Sequence, residues 1–294
     1  LWLAGSNGFS GGYGRSSHGI STVAITGDGT AMERDWASES RVWAEDLPPP
    51  EQIGRLAGER TVARRGARKP PTGTFPILYD ERVAATLIGH LLSAVNGSAV
   101  ARGASWLRND LGQPVLPAGF DLTEDPRLPR YPASRPFDGE GLATAARRIV
   151  ADGVLQGWTL DLATARKLGM ESTASAVRGT SAPPSPGVSN VALTPGTASR
   201  DDLIRDMGRG LVVTSMLGAS INPTTGDYSR GAAGFWVENG EIAYPVDGLT
   251  IAGNLREMLM WITSSSGKST PAETFQSRVL VSVTLRVTGM GSSL

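Results

Sequence analysis

Few side chains in this sequence can do covalent or metal chemistry. Its 294 residues include no cysteine and two histidines, His18 in GRSSHG and His90 in ATLIGH. The lack of thiols removes disulfides, thiolate zinc sites and cysteine nucleophiles together, and fits a reducing compartment. A catalytic zinc needs three protein ligands and an open position for water, which one imidazole on a helix cannot supply. Glu81 begins the same predicted helix, but nine residues before His90 is two and a half turns and points it roughly to the opposite side. GASWL at 103–107 is not a G-x-S-x-G elbow, and two histidines support no Ser-His-Asp order. The glycine-rich GFSGGYGRSS lacks the lysine of a phosphate-binding loop. Asp138 and Glu140 in PFDGEG form an acid–base pair in principle, although organising a glycine-rich turn is the simpler role. A lone histidine such as His90 reads first as a satisfied helix or interface residue.

The elements that must position these residues belong to a globular chain. A length of 294 with 40% hydrophobic residues supports one large or two ordinary domains. Lys plus Arg and Asp plus Glu each number 28, so no global field draws the chain to nucleic acid or an anionic membrane. The longest apolar helical stretch, VAATLIGHLLSAV, is too short to span a bilayer. No secretory signal is visible, and no repeat of solenoid period.

Strand signals outnumber helix signals. GISTVAITG and RVWAEDL read as strands, SNGFSGGYG as a turn or bulge, and His18 falls in a glycine-rich turn. A helix is predicted from Pro50 to Val62 with Ile53, Leu56 and Ala57 on one side, followed by the basic linker ARRGARKPPTG. FPILYD is a short strand running into a helix whose Val83, Leu87, Leu91 and Val95 share one face. The Pro-rich stretch 113–137 is long for a connection and reads as a surface wrap or functional loop. RRIVADGVLQGWTLD is a hairpin about Asp152-Gly153, TARKLG a short helix closed by Gly169, and 172–187 a polar segment expected to be mobile, a candidate flap. Then follow a strand at NVALTPG, a helix at SRDDLIRDM with Ser199 as cap, and a strand at GLVVTSMLG. NPTTGD is a turn that delivers Asp227 and Ser229 to a strand start, and GFWVENGEIAYPV is a hairpin about Asn239-Gly240. In that hairpin Phe235, Val237 and Ile242 oppose Trp236 and Glu238.

NPTTGDYSRGAAGFWVENGEIAYPVDGLTIAGNLREML resembles the signature of the TldD/PmbA peptidase family, in its PmbA/TldE-like branch, also called modulator of DNA gyrase. SNGFSGGYGRSS, MERDWA, LIGHLLSAVNGSAVARGASWLRNDLGQPV, ASRPFDGEG and GWTLDLATARKLG follow in the family's order, so the resemblance covers nearly the whole chain. It implies an α+β fold: a C-terminal β-rich domain of mostly antiparallel strands in a barrel-like or sandwich sheet with a few helices. Residues 1–72 would be the β-rich end of a central region plus helix and linker, and 73–294 the C-terminal domain. The family's N-terminal α/β domain is expected to be missing before Leu1.

The resemblance also implies a cytoplasmic proteolytic system in which a TldD-like catalytic subunit carries zinc in a His-Glu-x-x-x-His motif, with a cysteine later in its chain. Here Ala85 stands at the first His, Thr86 at the Glu, and only His90 matches. The expectation is therefore a non-catalytic subunit that binds no cofactor itself, helps hold peptide or unfolded-protein substrate, and forms a homodimer when its partner is absent. Exposed strand edges would take an extended peptide by β-augmentation, with Asp227, Ser229, Arg230 and Asn254 as peptide-binding or structural positions. Two other classes stay open: a binding protein acting on DNA gyrase or a toxin–antitoxin system, and an autonomous hydrolase with an unusual site.

Overall fold

The computed structural model describes residues 1–264 and 281–289. The first strands are β1 (Trp2–Ala4) and β2 (Ser10–Gly12), a short hairpin, then β3 (His18–Thr26) and β4 (Glu33–Arg41), antiparallel over all nine residues. Helix α1 (Pro50–Ala63) lies on one face of the second pair, where Ile53 and Ala57 meet Ala37, with Ile20, Ala24 and Leu56 packed around them. Two expectations change here. The strand assigned to RVWAEDL lies earlier, at Glu33–Arg41, and residues 44–46 are a 3-10 turn. The strand's buried positions are Asp35 and Ala37, so its alternation is real but carries little hydrophobic signal. His18 is the first residue of β3, opposite Arg41, and not part of a turn.

Ion pairs join this part to the rest. Arg82 donates to both oxygens of the buried Asp35, at 3.0 and 3.2 Å, and to Asp80 at 3.1 Å. Glu81, weighed above as a metal ligand, instead pairs with Arg60 at 3.5 Å.

The chain then runs through β5 (Gly73–Tyr79), α2 (Glu81–Ala94), α3 (Gly97–Ala101), β6 (Leu122–Glu124), β7 (Arg147–Ala151), β8 (Val154–Leu155) and α4 (Leu162–Leu168). It continues through β9 (Ala176–Val177), β10 (Ser185–Pro186), β11 (Val191–Leu193), α5 (Arg200–Met207), β12 (Gly210–Ile221), β13 (Asp227–Glu238) and β14 (Glu241–Asn254). The last described elements are α6 (Leu255–Met260), β15 (Thr263–Ser264) and β16 (Val281–Gly289). The predicted C-terminal domain thus includes segments 265–280 and 290–294, which lie outside the described residues.

The large sheet has the order β14-β13-β12-β5-β16-β15, and β16 also pairs with β14. That extra pairing, Leu249–Ala252 against Arg286–Gly289, curls the sheet into a barrel-like ring. All its pairs are antiparallel except β5 with β12. Tight turns set the registers: Asn239 and Gly240 take φ of 54° and 75° at the tip between β13 and β14.

Side chains alternate between the sheet's faces. Leu78, Val212 and Val237 meet Ile204 of α5, with Phe235 packed beside them. Ile77, Tyr79, Leu211, Val213 and Trp236 join the main core with Val83, Leu87, Leu91 and Val95 from the α2 stripe and its end. Burying each such side chain contributes about 1.5–3 kcal/mol. Asp80 caps α2 by accepting from the Arg82 amide, and Ser199 and Asp202 form a reciprocal capping box at α5.

The segment expected to be mobile is partly pinned. Ser175 and Ala176 are buried, the Ala176 amide donates to Asp138, and the hydroxyl of Thr173 bonds the Leu160 carbonyl. Arg178–Pro183 is exposed. No helix among the described residues is long and apolar enough to cross a membrane.

Candidate functional site

His90 sits in the last turns of α2, half-buried, on the side facing β13. Its ring meets Tyr228 edge-on, with centroids 5.9 Å apart and planes at 70°. The Tyr228 hydroxyl lies 3.4 Å from that of Tyr79, which ends β5. Arg230 is two residues beyond Tyr228, hence on the same face of the strand, and its charge opposes the upward push on the Tyr228 phenol. Its Nε also donates to the Gly218 carbonyl at 2.8 Å. The cluster therefore unites the end of β5, the helix that follows it, and the start of β13.

Its electrostatics follow from burial and one cation. Desolvation, then the Arg230 charge, lowers the His90 pKa below its ordinary value of 6.5. Desolvation pushes both tyrosines upward. At neutral pH the site thus holds a neutral imidazole, two phenols and a guanidinium. His90 Nε2 is buried and has no hydrogen-bond partner among the described residues.

A pH dependence follows. Between the lowered folded pKa and 6.5, the unfolded chain binds a proton that the folded chain does not, so stability drops as pH falls below about 6.5. His90→Gln should flatten that part of the curve. Urea unfolding at about pH 5 and about pH 7.5 measures it, and an unchanged difference between the two would contradict this account of His90.

The other signature residues do a different job. Asp227 accepts from the Thr225 hydroxyl at 2.7 Å and from Asn254 Nδ2 at 3.1 Å, and these bonds lower its pKa, that of Thr225 first. Asn254 also donates to the Thr225 carbonyl and caps α6 by accepting from the Arg256 amide. Asp227 and Asn254 are directly paired across β13 and β14. Together they clamp the Asn222–Gly226 turn, in which Gly226 takes φ 81°. Ser229 lies between the clamp and the cluster, opposite Ser220 and Ala252. Among the described residues, Arg230 is the one of these four whose charge acts on His90.

Asp138 and Glu140 are separated by function. Buried Asp138 accepts from the amides of Glu140, Leu142 and Ala176, as an organiser of that turn. Glu140 accepts from the Leu162 amide at the start of α4, and burial raises its pKa.

Tyr79 and Tyr228 were not singled out from sequence. Tyr228 stands inside the signature between Asp227 and Ser229, and strand alternation alone places it opposite them.

The profile of the PmbA/TldA metallopeptidase C-terminal domain matches residues 72–290, and that of the family's central domain matches residues 1–65. The chain belongs to the PmbA/TldD metallopeptidase family. It is 41% identical over 253 residues to the metalloprotease PmbA of Escherichia coli O157:H7, an alignment covering 86% of this chain and 54% of that protein. It superposes with a TM-score of 0.87 on the crystal structure of a candidate modulator of DNA gyrase from Bacteroides thetaiotaomicron, at 29% identity, over 97% of this chain and 63% of that one. TldE from Thermococcus kodakarensis shares the fold, with a TM-score of 0.82 at 21% identity over 93% of this chain and 63% of its own. The chain thus spans about half the length of its Escherichia coli relative.

The family's metallopeptidase description implies a metal, and the residues at the cluster do not fit one. Ala85 offers a methyl group, and the Thr86 hydroxyl donates to the Val83 carbonyl at 2.6 Å. Raised pKa values keep both phenols protonated. The Arg230 charge already acts on His90 and would repel a second cation there. Among the described residues no group of three His, Asp or Glu side chains is arranged to hold a metal ion.

Proposed function

We propose that this chain is a PmbA/TldE-like, non-catalytic subunit of a cytoplasmic peptidase whose zinc is carried by a TldD-like partner. The observation that carries the reading is the donor set at His90: one desolvated imidazole beside Arg230, with a methyl and an already bonded hydroxyl where further ligands would be needed. The barrel-like sheet then serves to shape and close a peptide chamber.

A particular edge supports the peptide-holding role. Closure of the ring leaves fewer free edges than an open sheet would have, but β12 pairs with β5 only at Leu211–Val213. From Ser215 to Ile221 its ladder among the described residues is with β13 alone. This stretch can add an extended peptide through its main chain. Arg230, bonded to the Gly218 carbonyl, braces it from the His90 side.

The test is peptide cleavage by this protein, by its TldD-like partner and by the mixture, with zinc counted in each. Zinc and cleavage that depend on the partner support the reading. Cleavage by this chain alone, abolished by a chelator, overturns it in favour of an autonomous hydrolase. A gyrase-directed role predicts capture of gyrase that survives nuclease treatment, with no cleavage by the mixture.

Asp227→Ala provides a narrower check. It releases both the Thr225 and Asn254 bonds at the turn that starts β13. Cleavage by the mixed subunits, or their co-elution, should fall severalfold. Normal assembly and rate would remove Asp227 from the working surface.

A further inference from the structure

A cavity of about 730 Å3 lies between the β1–β2 hairpin and the segments around Arg135–Gly139 and Ala176–Thr180. None of its lining residues belongs to α2 or β13, so it is separate from the His90 cluster. Its size falls in the range of small-molecule sites.

Its lining is unusual for a chain with no net charge. Arg15, Arg135 and Arg178 all contribute, against a single carboxylate, Asp138. That carboxylate is already committed: Oδ1 accepts two backbone amides and Oδ2 a third. Its charge and that of Glu124 act on Arg135, so the lining arginines without a carboxylate partner among the described residues are Arg15 and Arg178. Arg135 donates through Nη2 to the Gly187 carbonyl at 2.9 Å, while its Nε is buried with no partner among the described residues. Desolvation lowers its pKa, which reflects a guanidinium held away from water. Arg15 and Arg178 are exposed and their side chains form no hydrogen bond or ion pair with the described residues.

The opposite character comes from the aromatic wall. Tyr13 and Phe137 meet edge-on at 5.4 Å, and Phe9 braces Phe137 from behind at 4.9 Å. Trp2 lines the hairpin side. A rigid aromatic surface beside forked N–H donors suits a ligand with a flat apolar body and an anionic head.

We propose that this pocket binds a small oxyanion, a carboxylate or phosphate, carried on an aromatic or apolar body. The assignment is independent of the peptidase reading above. Arg15 and Arg178 receive the anion, and Tyr13 and Phe137 receive the body.

Calorimetry on the full chain tests it with benzoate, phenyl phosphate, inorganic phosphate and benzyl alcohol as probes. Benzoate or phenyl phosphate should bind at about 1 mM or tighter, and the tighter of the two tells a carboxylate source from a phosphate source. Arg15→Glu combined with Arg178→Glu changes only exposed positions and should weaken that binding at least about tenfold, the loss expected when like charge replaces an anion's partner. Circular dichroism confirms that the variant remains folded. Failure of both anions to bind, equal binding by benzyl alcohol or inorganic phosphate, or unchanged affinity in the doubly reversed variant overturns the proposal.

Discussion

Gly234→Ala is expected to cost about 3 kcal/mol or more of stability, at the upper end of what overpacking usually does, and to sharply reduce the yield of folded protein. Gly234 is in the middle of β13, paired with Val213 on one side and Val246 on the other. Register shifts occur next to it in both pairings, so the three strands pass one another there in irregular geometry. An added Cβ would lie 1.9 Å from the Val212 carbonyl oxygen and 3.0 Å from the Val213 Cα. Both obstacles are backbone, so no rotamer change relieves them. Relief requires β12 and β13 to part, which also separates Arg230 from the Gly218 carbonyl it bonds. Gly157→Ala is the control: nothing lies within 4 Å of its added Cβ, and stability should change by less than about 0.5 kcal/mol. Urea denaturation of both variants decides the matter. A Gly234→Ala protein as stable as the control would show that the strands can separate at little cost.

The same strand shows what could be read from sequence. Asn239-Gly240 marks a hairpin through local chemistry, because both residues take the positive φ that few others tolerate. The α2 stripe is equally local, and Ser199 with Asp202 announces a helix start within three residues. What was hidden is nonlocal or polar. Tyr79 and Tyr228 touch across 149 residues of sequence, and no period within either strand encodes that meeting. Closure of the ring by β16, paired with both β5 and β14, has no local signal for the same reason, and it was the family resemblance that pointed to a barrel-like or sandwich sheet. Strand β4 escaped because its inward positions are Asp35 and Ala37, and Asp35 is tolerated there because Arg82, with Arg64 at 4.0 Å, neutralises it from other elements.

The candidate site divides along that line. Arg230 and His90 were identifiable, one from the signature and one as a rare residue type, but their mutual effect needed the fold. A cation placed beside an imidazole is information about pairing, not composition. The family resemblance supplied the positions to compare, and the geometry supplied what surrounds Ala85, Thr86 and His90: a bonded hydroxyl and a desolvated imidazole under the Arg230 charge.

Arg147→Met should cost about 3–5 kcal/mol, the range for stripping one partner from a buried ion pair. Glu124 is 3% exposed and accepts from Arg147 Nε at 2.8 Å and from the Ser189 amide at 2.6 Å. Arg147 also donates to the Trp158 carbonyl and the Thr159 hydroxyl. The pair therefore ties β6, at the heart of the long Pro-rich wrap, to β7, to the stretch before β11 and to the chain entering α4. Removing the guanidinium leaves a carboxylate in a low-dielectric site with one hydrogen-bonded amide and only the Arg135 charge nearby to offset it, which is worse than having no charge there. Glu124→Gln combined with Arg147→Met should consequently be more stable than Arg147→Met alone, although it has lost two charged groups instead of one. Equilibrium unfolding of the two single variants and the double gives the coupling energy directly. A double variant no more stable than Arg147→Met would mean that the arginine's bonds to Trp158 and Thr159, not the charge left on Glu124, set the loss, and that the wrap is held by those carbonyl and hydroxyl contacts.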